Sequence, residues 1–348
     1  MRRVLAGLLA SALLSAAQKP NPDLPPANKA AAVRLANSGV AEAHQGNYPA
    51  AIENYKRAIA IDPDLPGIYL DLGLAWFKLG NFSEAAAAFE KANQKSPSDQ
   101  ATTLLGMSEF GLQRYKEAST LLAPLAAANP DNTELSYWLA KCYLWSGQYQ
   151  AARDLFRKIV ARQPDSAAVH MLLGEAYDAD DRTPEAIAEY QAAVKADTKQ
   201  PEAHFGLGYL FWKEKRYGEA EAQFREIVEQ VPDDPKALAF LANILLKNGR
   251  TQEAERDLQR AIAGDDKLAM AHVDLGTIYA EQNNTNAAIE QFQAAIKHDP
   301  KRYDAHYKLA RLYRDLGRTQ QADAEFAVVA KLHEEQKPGP LMRISGPQ

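Results

Sequence analysis

The stretch LGLAWFKLGNFSEAAAAFEKANQKSP, residues 72–97, returns in modified form as LGTIYAEQNNTNAAIEQFQAAIKHDP at residues 275–300. The two stretches align without a gap, and glycine, an aromatic residue, alanine, phenylalanine and proline fall in the same columns. Such a match between distant segments indicates an internal repeat, which must be recognised before any domain is counted.

Two columns of small residues extend this alignment along the chain. The first column contains Gly39, Gly73, Gly106, Ala140, Gly174, Gly208, Ala242, Gly276 and Ala310. The second contains only alanine, at positions 51, 85, 118, 152, 186, 220, 254, 288 and 322. Successive alanines are 34 residues apart, except that Ala118 follows Ala85 by 33. The sequence therefore predicts nine repeats over residues 32–336.

Each repeat contains two stretches with helical spacing of apolar residues, joined by a short turn. Small residues in both columns let the two helices approach closely. The aromatic column that should fill the space between pairs comprises Tyr55, Phe89, Phe156, Tyr190, Phe224, Phe292 and Phe326. Proline at positions 63, 97, 130, 164, 232 and 300 predicts the end of each second helix. Thr198, Asp266 and Glu334 replace it in repeats five, seven and nine, where we expect gentler bends or more fraying.

This period and its columns resemble those of the tetratricopeptide repeat family. The resemblance covers nearly all of residues 32–336 and implies an all-α fold, a right-handed α-solenoid of about nine 34-residue helix-turn-helix repeats. Some family members hold chaperone C-termini in a clamp of lysines and asparagines. Such a clamp is not expected here, because the corresponding columns contain Ala36, Leu70, Thr103, Tyr137, Val40, Leu74 and Met107.

Segments outside the repeats predict export. Residues 1–17 have a basic start, an apolar run and small residues suited to cleavage, which is the layout of a signal peptide. An N-terminal membrane anchor is the alternative. We therefore expect a periplasmic or extracellular protein, peripheral to a membrane at most. Residues 18–31, with four prolines, predict an extended spacer, and residues 337–348 predict a flexible tail.

Composition and motifs argue against catalysis and nucleic-acid binding. The net charge of −5 disfavours a general nucleic-acid surface. The sequence lacks the nucleotide, zinc-protease and serine-hydrolase motifs, so we expect neither an enzyme nor a cofactor. His170, His204, His272 and His306 share one column, and neighbours there are about 10 Å apart, too far to share a metal ion. The single cysteine, Cys142, is expected to be a small buried filler.

The first helices present an apolar and aromatic stripe opposite the small-residue column. We predict that this stripe forms a partner-binding groove through repeats two to six. Its residues are Leu70, Leu74, Phe77, Phe110, Tyr137, Trp138, Lys141, Trp145, Met171, Phe205, Tyr209 and Trp212. At the other end of the array, Lys308, Arg311 and Arg314 form a candidate anion-binding end, with a solvated terminal face as the alternative.

These features favour an exported, non-enzymatic scaffold that binds a protein segment in the groove, as part of an envelope assembly. An unidentified peptide or helix is the expected partner. The alternative is a carbohydrate-associated module in polysaccharide or cell-wall assembly, because Tyr209 and Trp212 suit sugar rings and Glu175 and Asp178 supply nearby acids.

Overall fold

The structure, a computed structural model, describes residues 25–336, which form eighteen α-helices and no β-strand. The helices are α1 (Pro26–His44), α2 (Tyr48–Ile61), α3 (Ile68–Lys78), α4 (Phe82–Lys95), α5 (Asp99–Gly111), α6 (Tyr115–Ala128), α7 (Thr133–Trp145), α8 (Tyr149–Arg162), α9 (Ala167–Asp178), α10 (Thr183–Ala196), α11 (Pro201–Lys213), α12 (Tyr217–Gln230), α13 (Pro235–Lys247), α14 (Thr251–Gly264), α15 (Ala269–Glu281), α16 (Thr285–His298), α17 (Tyr303–Asp315) and α18 (Thr319–Gln336). Odd-numbered helices are the first helices of the predicted repeats, and even-numbered helices are the second. The prediction of an all-α fold built from nine helix-turn-helix repeats is confirmed.

The turn between the first and second helix has the same backbone conformation in every repeat. One residue per turn lies in the left-handed region, at positions 46, 80, 113, 147, 181, 215, 249, 283 and 317. Five of these are glycine, which adopts this conformation without strain. The other four are Gln113, Asp181, Lys215 and Asn283. Because the positions repeat every 34 residues with one step of 33, the turn reproduces the sequence period.

The second helices end in one column, whether or not proline follows. Helices α2 and α16 end two residues before Pro63 and Pro300, yet α10 and α14 end in the equivalent position without proline. After all four of these helices an aspartate carboxylate accepts a hydrogen bond from the backbone two residues later, as Asp197 does from Lys199 at 3.0 Å. This aspartate turn ends the helix, so the proposed link between proline loss and fraying does not apply to α10 and α14. Only α18 continues through the column, to Gln336.

The small-residue columns bring the two helices of a pair into direct contact. A Cβ atom added at Gly73 would lie 2.6 Å from the Phe89 ring, and one added at Gly39 would lie 2.5 Å from the Tyr55 ring. These rings are 0% exposed. Leucine fills the same space in repeats three and seven, as Leu122 and Leu258. The packing predicted from the two columns is therefore present.

The described helices divide into two compact units between Arg182 and Thr183. Unit 1 contains α1 to α9, and unit 2 contains α10 to α18. Within unit 1 the first and second helices of four repeats pack as hairpins, and unit 2 likewise contains four such hairpins, formed by α11 to α18.

The predicted boundaries at the two ends have different outcomes. Helix α1 begins at Pro26, so residues 26–31 are helical. The prediction that the extended spacer continues to residue 31 is therefore wrong. Proline is tolerated in a first helical turn, where its missing N–H has no helical partner. The predicted signal peptide and tail lie outside the described residues. No helix among residues 25–336 is long and apolar enough to cross a membrane.

Candidate functional site

The predicted groove residues of unit 1 divide into buried and accessible side chains. Leu74, Trp138 and Lys141 are 5%, 9% and 7% exposed, so they do not line an open surface, and this part of the prediction is wrong. The reason is coverage by the preceding first helix. Phe110 of α5 packs edge-on against Trp138 of α7, with ring centroids 5.2 Å apart. Leu74 likewise belongs to a buried core cluster with Trp138.

Trp145 is the most exposed of the predicted groove residues in unit 1, at 39%. It lies in the last turn of α7. The centroid of its ring is 5.1 Å from that of the Phe110 ring and 5.7 Å from that of the Tyr115 ring. The indole N–H donates a hydrogen bond of 3.3 Å to the Glu175 carboxylate on α9. One edge of the indole is therefore fixed while part of the ring faces solvent. We call Trp145, Phe110, Tyr115 and Glu175 the Trp145 patch.

Lys141 lies beneath the Trp145 patch and inside a ring of aromatic side chains. Its ammonium nitrogen is 4.6 to 5.4 Å from the ring centroids of Phe110, Tyr137, Trp138 and Trp145. Each of these distances is within cation–π range. Burial lowers the pKa of Lys141, and the nearby Glu175 carboxylate opposes that shift. Lys141 thus supports the aromatic side chains from within and does not present its charge to a partner.

Burial also raises the pKa of Glu175, and the hydrogen bond from Trp145 and the charge of Lys141 oppose that change. These three residues form a small coupled network at the end of α7. The Glu175 carboxylate fixes the indole of Trp145, and the positive charge of Lys141 partly compensates the negative charge of the carboxylate.

The remaining predicted residues of unit 1 are half-buried. They are Leu70, Phe77, Phe110, Tyr137 and Met171. Leu70, Phe77 and Phe110 pack on the buried core cluster that contains Leu74 and Trp138. They therefore present only part of their apolar surface to solvent.

Tyr115 was missed in the sequence analysis, although a column contains it. The first residue of the second helix is aromatic in five repeats, as Tyr48, Phe82, Tyr115, Tyr149 and Tyr217. In two of these repeats a phenylalanine stands five positions earlier, and the two rings pack edge to face across the turn. Phe77 and Phe82 do so at 5.3 Å, and so do Phe110 and Tyr115.

In unit 2 the predicted residues pack around a phenylalanine that the prediction omitted. Phe205, Tyr209 and Trp212 are half-buried, and their ring centroids are 5.6, 5.9 and 5.3 Å from that of Phe240 on α13. Phe240, itself half-buried, shares its column with the buried Trp138 and Leu172, and this column was the available signal.

A chain of hydrogen bonds connects Trp212 to the next two first helices. Its indole N–H donates to Asn243 at 2.9 Å, and the Asn243 amide donates to Asp274 at 2.7 Å. Burial raises the pKa of Asp274, while the bond from Asn243 and the charge of Lys308 oppose the change. Trp212 is therefore a bonded part of the packing in unit 2, and it is more covered than Trp145.

The predicted anion-binding end lies on α17. Arg311 and Arg314 are exposed, and Lys308 is half-buried on the side of Asp274. The Arg314 guanidinium lies over the Phe326 ring at 5.4 Å. The structure thus places two of the three predicted cations on one accessible surface.

The histidine column serves packing, in agreement with the sequence-based interpretation. His204 contacts the Thr198 carbonyl at 3.1 Å and the Gln223 side chain at 2.8 Å. The His272 ring makes the equivalent two contacts, with the Asp266 carbonyl and the Gln291 side chain. Each ring bridges the end of the preceding helix and the second helix of its own repeat. Among the described residues, no group of three or more His, Cys, Asp or Glu side chains could hold a metal ion.

Cys142 is fully buried within α7, and burial raises the pKa of its thiol to about 12. A thiol in this environment stays protonated at neutral pH and is a poor nucleophile. Its predicted role as a small buried filler is confirmed.

Family models agree with this architecture over most of the chain. Models described as tetratricopeptide repeat match residues 66–99, 109–176, 171–235, 211–273 and 273–335, and a model described as TPR repeat matches residues 39–80. The chain belongs to the tetratricopeptide repeat family. No protein of the curated collection matches it.

Solved structures show the same helical repeat fold. A tetratricopeptide repeat protein from Parabacteroides merdae is 17% identical, with a TM-score of 0.55, covering 70% of this chain and 96% of that one. PilF of Pseudomonas aeruginosa is 16% identical, with a TM-score of 0.53, and the match covers 60% of this chain and 94% of that one. YrrB, described as a TPR protein with an unusual peptide-binding site, is 20% identical with a TM-score of 0.42, covering 52% and 93%. At these identities the likeness to the first two structures concerns the fold alone.

Proposed function

We propose that this tetratricopeptide repeat protein is an exported, non-enzymatic scaffold that binds a segment of another protein at the Trp145 patch, as part of an envelope assembly. Stacked helical repeats are protein-interaction scaffolds, because neighbouring helices together form extended binding surfaces. The single observation that carries the location is the exposure of Trp145, 39% in a first helix whose other large apolar residues are mostly covered.

The geometry of Trp145 suits a binding hot spot. Tryptophan, tyrosine and arginine dominate interface energetics, since a large side chain removes much apolar surface from water. The hydrogen bond to Glu175 and the contacts with Phe110 and Tyr115 already restrict the indole. A restricted side chain loses little further entropy when a partner covers it. We expect an apolar side chain of the partner to cover the indole and a polar group to approach Glu175.

Site-specific photo-crosslinking tests this proposal. A photoreactive phenylalanine analogue at position 145 should capture a specific protein from an envelope extract, which mass spectrometry then identifies. The same analogue at position 79 is the matched control, because Leu79 is 41% exposed in the same unit. The captured protein should be purified and its binding to the unmodified scaffold measured. Equal capture from both positions, or no binding by the purified protein, would contradict the proposal.

Export requires a separate test, because the predicted signal peptide lies outside the described residues. Fractionation of the native cells followed by N-terminal sequencing should give a mature chain that starts near residue 18 in the periplasmic or extracellular fraction. A chain that keeps Met1 in the cytoplasmic fraction would remove export and the envelope role, while leaving the Trp145 patch unaffected.

The carbohydrate alternative depended on Tyr209 and Trp212, with Glu175 and Asp178 nearby. In unit 2 the Trp212 indole is bonded to Asn243, and Tyr209 lies against Phe240. Binding of purified cell-wall and exopolysaccharide fragments to the mature protein distinguishes the two functions. Saturable glycan binding that is lost on Trp212→Ala would favour the carbohydrate function.

A further inference from the structure

Helix α17 in unit 2 carries a surface that differs in chemistry from the Trp145 patch. Tyr303 and Tyr307 are 39% and 40% exposed, which is unusual among the large side chains of the described residues. Their rings are nearly parallel, at 7°, with centroids 6.2 Å apart. Arg311 and Arg314 follow at helical spacing on the same face and are exposed. We call these four residues the α17 surface.

The cations of the α17 surface are not neutralised by nearby carboxylates in the described part of the chain. The Arg311 guanidinium has neither an ion pair nor a hydrogen bond there, and Arg314 contacts only the Phe326 ring. Of the neighbouring acids, Asp304 pairs with Arg302 and Glu325 contacts the His306 ring at 2.6 Å. The exposed Asp315 forms no ion pair with either arginine in the described residues, and one carboxylate does not balance two guanidinium groups. The surface therefore has an excess of positive charge beside two aromatic rings.

We infer that the α17 surface binds an acidic, extended peptide segment of a partner protein. The guanidinium groups of Arg311 and Arg314 bind carboxylates, ideally in paired hydrogen bonds. The rings of Tyr303 and Tyr307 contact apolar side chains. This site is independent of the proposed function, because none of its residues belongs to the Trp145 patch.

The spacing of the rings favours a peptide over an anionic polysaccharide. In an extended peptide, alternate side chains point to the same side and lie about 6.6 Å apart. The centroids of the two tyrosine rings are 6.2 Å apart. Alternate apolar side chains can therefore contact successive rings, and alternate acidic side chains further along can reach successive arginines.

Fluorescence anisotropy with a defined probe tests the inference. The probe is a fluorescein-labelled Leu-Ser-Leu-Ser-Glu-Ser-Glu peptide, and its counterpart has lysine in place of both glutamates. The full chain should bind the acidic probe and not the basic one, with affinity that falls as salt rises. Combined Arg311→Gln and Arg314→Gln substitutions should weaken binding about tenfold, because charge-assisted hydrogen bonds are lost. Tyr307→Ala should weaken it severalfold.

Two control variants make the result specific. Arg256→Gln removes an exposed arginine from α14 and should leave probe binding unchanged. Trp145→Ala should also leave it unchanged, so failure here and failure of the proposed function are distinguishable. Circular dichroism should show native helical content in every variant, since the α17 residues are exposed.

Three outcomes would overturn the inference. The first is that the double arginine variant binds the acidic probe with the same affinity as wild type. The second is that Arg256→Gln loses as much affinity for the probe as the double variant does, which would indicate general charge attraction. The third is binding of alginate, an anionic polysaccharide, without binding of the acidic peptide.

Discussion

Replacing Gly73 or Gly208 by alanine tests the close helix packing that defines each repeat. Both glycines occupy the small-residue column of a first helix, and both face a phenylalanine of the second helix. The added Cβ would lie 2.6 Å from the Phe89 ring at Gly73, but 3.1 Å from the Phe224 ring at Gly208. The same chemical change therefore meets two different amounts of space.

Two opposing effects decide how each substitution changes the free energy of unfolding, and we expect opposite signs at the two positions. Alanine is favoured over glycine inside a helix by about 1 kcal/mol. Overpacking a buried site costs about 1 to 3 kcal/mol. Phe89 and Phe224 are both fully buried, so the distance from the added Cβ to the ring decides which effect is larger. We expect Gly73→Ala to lose about 1 kcal/mol of unfolding free energy. At Gly208 a shift of a few tenths of an ångström suffices, so Gly208→Ala should gain roughly 0.5 kcal/mol.

Urea unfolding followed by far-UV circular dichroism and tryptophan fluorescence measures both effects. Trp76 lies in the same helix as Gly73, and Trp212 lies in the same helix as Gly208, so each variant has a nearby reporter. Adding Phe89→Leu to Gly73→Ala should cost less than the sum of the single changes, because the smaller side chain relieves the clash. A Gly73→Ala variant as stable as wild type, or a Gly208→Ala variant with the larger loss, would refute the packing argument.

Three further predictions concern single residues. Lys215→Gly should raise the unfolding free energy by up to about 1 kcal/mol, because Lys215 has a φ of 59° that costs a side-chain-bearing residue energy; calorimetry showing no gain would contradict it. Asp71 has a pKa raised to about 7 by burial, so its ionisation progressively destabilises the fold as pH rises from about 4 through 7. Asp71→Asn should therefore be more stable than wild type at pH 8, by on the order of 4 kcal/mol at most, and the difference should vanish below about pH 4; a constant difference would exclude this cause. Cys142 should react with a thiol reagent only on unfolding, and rapid labelling of the native protein at neutral pH would show that its site opens.

The helices and their order follow from the sequence because each repeat specifies its own packing. The columns of small and aromatic residues identify both helices of a hairpin, and their period identifies the turns. The end of the second helix could not be read from proline alone, since aspartate side chains such as Asp197 and Asp265 end α10 and α14 equally well. A helix end depends on whichever local group satisfies its backbone.

Accessibility within the first-helix face was less predictable. Helical spacing places Trp138, Lys141 and Trp145 on one side of α7, so the sequence pattern does not distinguish their accessibility. The structure buries the first two and exposes the third, because Phe110 of the preceding first helix covers Trp138 while Trp145 lies in the final turn. Such coverage depends on how one repeat is placed on the next, which periodicity within a single helix does not specify.

The affinity of the partner captured at position 145 tests the central claim most directly. Titration calorimetry should compare wild type with Trp145→Ala and Leu79→Ala, two variants that each truncate an apolar side chain of similar fractional exposure. We predict that Trp145→Ala weakens binding at least thirtyfold, equivalent to about 2 kcal/mol, with native helical content, while Leu79→Ala binds as wild type. Equal affinities of Trp145→Ala and wild type would contradict the assignment of the Trp145 patch as the binding site.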